Sequence, residues 1–460
     1  MTAIKEPTKA LAKFAAELTY ERIPAAAVSR IKLCLLDTFG CGLFGSSLPW
    51  ARIVADFARE LGGEQESSVW GRDFKVSVSN AALANGTAVH SFEIDDLHKT
   101  SIVHPGSVVI APALAVAEHI GGCNGKEFLA SVVAGYEVAI RVGMSVGTSH
   151  LQRGFHPTGT NGTFGAAAAA GRLLHLDAET MTHALGIAGT QAAGLMAAQY
   201  SAMVKRMHAG RAAQSGVYGA LLAKKGLTGI TNILEADFGG YCQVMADASN
   251  MNLLTIGLGQ DFETAVVGFK PYAAGGSTHT AHEAVKTIMK ENSVSADRID
   301  SIAIRSTKAT YLHTSWDYRP EGVTSAQMNM QYVVAVTALE GEVFIDQFTE
   351  EKINDPKIIE FSRKVKVVPD PELDKLGPDC RHAIIAEVKT KDGKVFSKQI
   401  ETAKGSNKYP MSAEEVEKKF RILAGKVLAP EKIDALTDKV QNLEKVGDVR
   451  DLSAGLVSGL

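Results

Sequence analysis

The sequence predicts a mainly α fold, and three observations carry that expectation. From Lys9 to about Lys225 apolar residues recur at helical spacing, interleaved with Ala and Gly. After about Asn250 the texture changes to short alternating runs mixed with helical ones. From Ser412 onward, "SAEEVEKKFRILAGKVL" and "PEKIDALTDKVQNLEKV" return to helical period. The simplest architecture is a helical unit whose chain leaves, builds an α+β unit and comes back.

Each element has local signals. Pro24, in "ERIPAAAVSRIKLCLLDTFGCGLFG", sits where a first-turn proline belongs. "PWARIVADFARELGG" begins on Pro49 and stops at Gly62-Gly63. The apolar run from Gly106 to Ala117 is too short to span a bilayer and reads as a buried helix. "NGKEFLASVVAGYEVAIRVG", "DAETMTHALGIAGTQAAGLMAA" and "HAGRAAQSGVYGALLAKKG" continue the helical design, with small residues that permit close approach. Strands are predicted at "DSIAIRST" (300–307) and "KVKVVPD" (364–370), and a hairpin around Lys391-Asp392-Gly393. Helices are expected over Thr278–Asn292 and Ser325–Glu340.

Composition narrows the function classes. The 460 residues are 45% apolar, ample for a large core. A net charge of −3, from 48 basic and 51 acidic residues, lacks the basic excess of a nucleic-acid partner. No apolar h-region opens the chain and no uncharged apolar window of about 18 residues occurs, so no membrane association is expected. The cysteines (Cys34, Cys41, Cys123, Cys242, Cys380) are five and scattered. They are expected as reduced thiols in a cytoplasmic protein.

Four segments carry chemistry. "SFEIDDLHKTSIVHPG" crowds Glu93, Asp95, Asp96, His98 and His104 before the apolar run. On a helix Asp95 and His98 would share one face, Glu93 and Asp96 another. A metal site on Asp95, His98 and His104, a metal-free acid/base cluster and a solvated loop all fit that pattern. "RGFHPTGTNGTFGAAAAAGRLL" lacks a nucleotide fingerprint. Its glycines, Gly159 first, either expose N–H groups to an anion or serve helix packing. His156 precedes Pro157 and is biased toward an extended backbone. In "AAQYSAMVKRMHAGRAAQSG", Lys205 and His208 share a face with Arg211 near it, while Arg206 is expected to point elsewhere. Residues 191 to 233 contain no acid to pair with them. In "VGFKPYAAGGSTHTAHEAV", Lys270 stands at the hand-over between the two textures and His279 at a helix start. Cations recurring in small-residue surroundings point to a small polycarboxylate substrate.

In order and nearly throughout, from about residue 8 to 445, these motifs resemble the MmgE/PrpD family. That family includes 2-methylcitrate dehydratase, cis-aconitate decarboxylase and iminodisuccinate epimerase. The resemblance implies a large all-helical domain from both chain ends (1–268 and 405–460), a smaller α+β lid (269–404), a homodimer, and no metal or organic cofactor. It implies a lyase acting by acid/base catalysis, with an epimerase or a non-catalytic helical binding protein as rivals. Carried over, the catalytic set is Glu93, Asp95, Asp96, His104, His156, Lys205 and Lys270. His208, His279, Tyr332 (in "TSAQMNMQYVV") and Gly159 join as substrate-binding positions. Two departures are visible: Leu97 stands where many members have Thr or Tyr, and Gly275 where the animal-type decarboxylase has a histidine.

Overall fold

A computed structural model describes residues 5–377 and 380–458. It is mainly α. Among the described residues, nine α-helices occupy the first half: α1 (Pro7–Glu17), α2 (Ala25–Ser46), α3 (Pro49–Glu60), α4 (Val78–Val89), α5 (Ala111–His119), α6 (Gly125–Gln152), α7 (Pro157–Leu173), α8 (Ala178–Gly189) and α9 (Val204–Lys224). A small antiparallel pair, β1 (Ser67–Ser68) with β2 (Lys75–Val76), lies between α3 and α4. The start signals do their work: Asn124 and Asp177 accept hydrogen bonds from Glu127 N and Thr180 N, capping α6 and α8. Pro24 is the residue just before α2, one position earlier than expected.

α7 is the centre, with α6, α8 and α9 against it and α9 reaching on to α4. Ala166 to Ala170 are fully buried. A Cβ added at Gly165 would lie 2.6 Å from Ala139 Cβ and 2.7 Å from Gly135 O on α6. One added at Gly162 would lie 2.7 Å from a Val108 methyl. These glycines sit inside α7 and serve close helix packing, the second of the two readings open for them. α6 is long and apolar enough to cross a membrane, but 94% of that window is buried in the fold. Its Glu137–Arg141 ion pair (3.2 Å) is satisfied internally: Arg141 donates to Ile256 O and Asp261 O, and Glu137 accepts from Thr264 N.

The second half carries α10 (Tyr241–Met245), α11 (His279–Glu291), α12 (Lys308–Thr314), α13 (Val323–Met328) and α14 (Met330–Glu340). Its sheet has β3 (Ile299–Ser306), β4 (Val365–Pro369), β5 (Ile384–Thr390) and β6 (Val395–Ile400) in the order β4-β3-β5-β6. β3 runs parallel to β4, with Ile302 opposite Val365, and antiparallel to β5, with Ile304 opposite Ala386. The β5–β6 hairpin turns at 391–393, with Gly393 at φ +86°. The helix expected over Ser325–Glu340 is two helices. Asn329, extended at φ −97° and ψ 122°, caps α14 at Tyr332 N and donates to Trp316 O.

After the sheet the chain returns to its beginning. The helix Ala413–Ala424, opened by a Ser412/Glu415 capping box, packs on α2. Lys419 Nζ lies 2.6 Å from Asp37 Oδ1, and Phe420 lies over Gly40. The five cysteines are unpaired and, except for the half-buried Cys123, buried. Replacing Gly165 by Val should force α6 and α7 apart and lower the unfolding free energy by about 3 kcal/mol. Urea melts of the two proteins check this, and equal midpoints would contradict the close-packing role.

Candidate active site

Residues 90–104, which follow α4, are not helical, so the face-sharing that a helix would give its acids does not arise. Glu93 (φ +54°) and Ile102 (φ +57°) adopt left-handed backbone. A non-glycine residue there is held at a cost of about 1–2 kcal/mol. Leu97 pairs with Gly268 in both directions (2.9 Å each), which ties this loop to the stretch that delivers Lys270. Lys419 reaches in from the C-terminal helix and donates to Ile94 O.

The irregular path sends each acid to different partners. Glu93 is buried among three cations. Lys205 Nζ and Arg206 Nη1 (2.7 Å) meet its Oε1, and Lys270 Nζ (3.0 Å) meets its Oε2. Burial opposes charge on Glu93, but Lys205, Lys270 and Arg206 hold its carboxyl well below the usual range. Burial, against the attraction of Glu93, brings Lys205 down to about 8. Arg206 corrects the sequence reading: it points into this cluster, and its other nitrogen donates to Gln327 Oε1 (2.8 Å). Arg211 instead donates to Gln214 and takes no part.

Asp95 faces two imidazoles. His90 Nδ1 is 2.8 Å from its Oδ2 and His104 Nδ1 is 3.2 Å from its Oδ1. Burial opposes the charge of Asp95, but His104 and His90 keep it well below the carboxylate range. The rings continue as a chain: His104 to His90 4.9 Å, His90 to His156 5.3 Å, His156 to His208 5.2 Å between centroids. His156, extended just before Pro157, has Nδ1 3.1 Å from His208 Nδ1. Burial pushes His90 and His208 down to about 4, and burial with Lys205 pushes His156 well down too. These rings are neutral at pH 7.

The ligand atoms of His90, Asp95 and His104 lie within 4.8 Å of one another, so a metal ion deserves a test against them. Donors on a tetrahedral zinc sit about 3.3 Å apart, given bond lengths of about 2.0–2.1 Å. The 2.8 Å between His90 and Asp95 is a hydrogen bond. His98, the third member of the metal pattern considered from sequence, turns away to Ser101 (3.0 Å) and Glu263 (3.3 Å).

Asp96 lies behind this layer, accepting from Gly106 N (2.9 Å) and Tyr136 Oη (2.8 Å). Burial, with Asp37 and Asp95 nearby, pushes its carboxyl well up. Glu93, His104, His156, Lys205 and Lys270 line one cleft of about 680 Å³. Leu97 and Gly275 line it too, so both departures from the family pattern fall at the site. Asp95 stands one layer back, through His104. His279 Nε2 donates to Ala274 O (3.0 Å), and the ring borders a smaller adjoining hollow with Lys270. Tyr332 is a core residue, its hydroxyl on Gln347 O and its ring against Tyr318 and Phe348. Gly159 packs against Ala193 O and His208.

Sequence reasoning missed His90, Ser277, His313, Arg381 and His382. The last four line the cleft. The acid-free stretch from 191 to 233 held the signal for Arg206, since a buried guanidinium needs a remote acid as much as Lys205 does. His382 stands two residues before β5. Exchanging Glu93 for Gln strands three buried cations and should cost about 3–5 kcal/mol of stability. Denaturant melts of Glu93→Gln measure that loss, and an unchanged midpoint would refute the shared counter-ion.

The chain was compared with known proteins. The MmgE/PrpD N-terminal domain model matches residues 9–253 and the C-terminal domain model residues 272–445. The chain is 32% identical to the "Cis-aconitate decarboxylase-like protein oryM" of Aspergillus oryzae, over 98% of this chain and 97% of that one. It is 28% identical to the "Cis-aconitate decarboxylase" of Aspergillus terreus, over 97% and 94%. Likeness to the "2-methylcitrate dehydratase, mitochondrial" of Yarrowia lipolytica is 25%, over 82% and 76%. With both domain models matched in order and the cleft built where they meet, the chain belongs to the MmgE/PrpD family.

Proposed function

We propose that this chain is a lyase that removes CO2 from cis-aconitate or a closely related tricarboxylate. The observation that carries the reading is the charge of the cleft. Its lining holds two acids, Glu93 and Asp374, against four cations, Lys205, Lys270, Lys308 and Arg381. Glu93 already answers Lys205, Lys270 and the Arg206 behind them. A ligand with several carboxylates supplies the missing negative charge. Relatives named for cis-aconitate decarboxylation, alike over nearly the full length, support this reading over dehydration.

The chemistry fits such a lining. In cis-aconitate the bond from the CH2 carbon to its carboxylate breaks and CO2 leaves. The electron pair shifts through the C=C bond to the carbon beside the other terminal carboxylate. One proton delivered there completes itaconate. Cations around the remaining carboxylates hold the charge that builds up before protonation. His104 borders the cleft with Asp95 behind its Nδ1. That arrangement fixes the ring and leaves Nε2 to face the reacting carbon as proton donor. Residues 1–268 and 405–460 act in this reading as the body, and 269–404 as the lid that carries Lys270, His313 and Arg381 to the substrate. The protein works as a homodimer.

Incubation with cis-aconitate, followed by NMR, should show itaconate and one CO2 per turnover. 2-Methylcitrate, citrate and iminodisuccinate form the comparison arms. Turnover confined to 2-methylcitrate or citrate would make it a hydro-lyase, and folded protein silent on all four would reject the class. The depressed Lys205 gives a pH signature. Its ammonium is present below about pH 8 and lost above it. kcat/KM should therefore fall on the alkaline side with an apparent pKa of about 8. Lys205→Arg, charged throughout, should abolish that limb at whatever rate it retains. A limb unchanged in the variant would assign it to another group.

A further inference from the structure

Among the cations of the cleft, Arg381 and the exposed Lys308 pair with no described carboxylate, and of the two only Arg381 is drawn into the wall. Lys205 and Lys270 share Glu93. Asp374, the other acid on the lining, accepts from Lys308 N (3.0 Å) and so caps α12. No ion pair joins Asp374 or any other described carboxylate to Arg381. Arg381 Nε donates to His382 Nε2 (3.0 Å), and its two terminal nitrogens have no protein acceptor among the described residues. They are not sealed in either, because the half-buried side chain borders the cleft. Burial brings this guanidinium down to about 10.

The backbone beneath it is fixed. Arg381 O accepts from Thr307 Oγ1, the cap of α12, and from Thr310 Oγ1 (3.1 Å). His382 O accepts from Thr280 Oγ1 on α11 (2.7 Å). Two helices thus hold a guanidinium fork with its Nε edge occupied and its other edge open. An open Arg fork matches the two oxygens of one carboxylate, which a lysine ammonium cannot do.

We propose that Arg381 is a specificity residue that grips one terminal carboxylate of the substrate, distinct from those held at Lys205 and Lys270. It thereby makes the cleft select tricarboxylates over dicarboxylates. The proposal rests on the polycarboxylate reading above but not on which bond is broken.

Binding therefore tests it without turnover. Calorimetric titration of the full chain would use propane-1,2,3-tricarboxylate and methylsuccinate, the same skeleton lacking one terminal carboxylate. Arg381→Gln should weaken the tricarboxylate about 10- to 100-fold and methylsuccinate less than about twofold. Arg381→Lys should fall between, about 3- to 10-fold for the tricarboxylate, and provides the same comparison if the glutamine variant does not fold. Equal weakening of both ligands would mean a structural role and overturn the proposal. So would no weakening of either, or a wild-type protein that binds neither. Wild-type protein that binds the tricarboxylate with this dependence on Arg381, yet leaves cis-aconitate unchanged, would remove the assigned reaction and keep the specificity residue.

Discussion

The site is organised around one carboxylate. Glu93 holds Lys205 and Arg206 of α9 and Lys270 of the stretch before α11, residues up to 177 positions away in sequence. None of these cations could be buried alone at tolerable cost, and each is nearly inaccessible to solvent. Sharing one acid leaves the cluster with two positive charges in excess. That imbalance would be a defect in a structural core. In a cleft it becomes affinity for an anion. The left-handed backbone of Glu93 has the same origin, because three ion pairs hold a conformation that the residue would not choose by itself.

Around that centre, two neighbouring acids do opposite things. Asp95 stays charged between two imidazoles, while Asp96, one residue on, is pushed toward its neutral form beside Asp37 and against Tyr136. The difference lies in what each carboxylate meets after the chain turns, since their sequence settings are almost the same. The result is a layered arrangement: imidazoles near the cleft, a carboxylate behind them to orient them, and a buried acid–phenol pair behind that.

Much of the fold was legible. The helices that open at Asn124, Asp177 and Ser412 were marked by their apolar period, and the hairpin at 391–393 by its turn residues. Those signals are local, so they survive in any tertiary setting. The errors are where a local pattern was trusted without a partner. Asn329 broke a helix because its side chain could satisfy two backbone groups at once. Residues 93–98, whose helical and loop readings both stayed open, follow an irregular path tied down by Gly268 and Lys419.

For the site, the sequence by itself determined which residue types were present and that cations stood in acid-free surroundings, which is a property of composition along the chain. It also determined that His156 would be extended, because proline restricts the residue before it. Only the tertiary structure decided which acid answers which cation. That choice depends on distances between segments hundreds of residues apart, and on two positive-φ residues whose strain is repaid by contacts no local pattern contains. For the same reason His90 and Arg381 emerged only from the fold. Their neighbours in sequence give them no role, and their neighbours in space do.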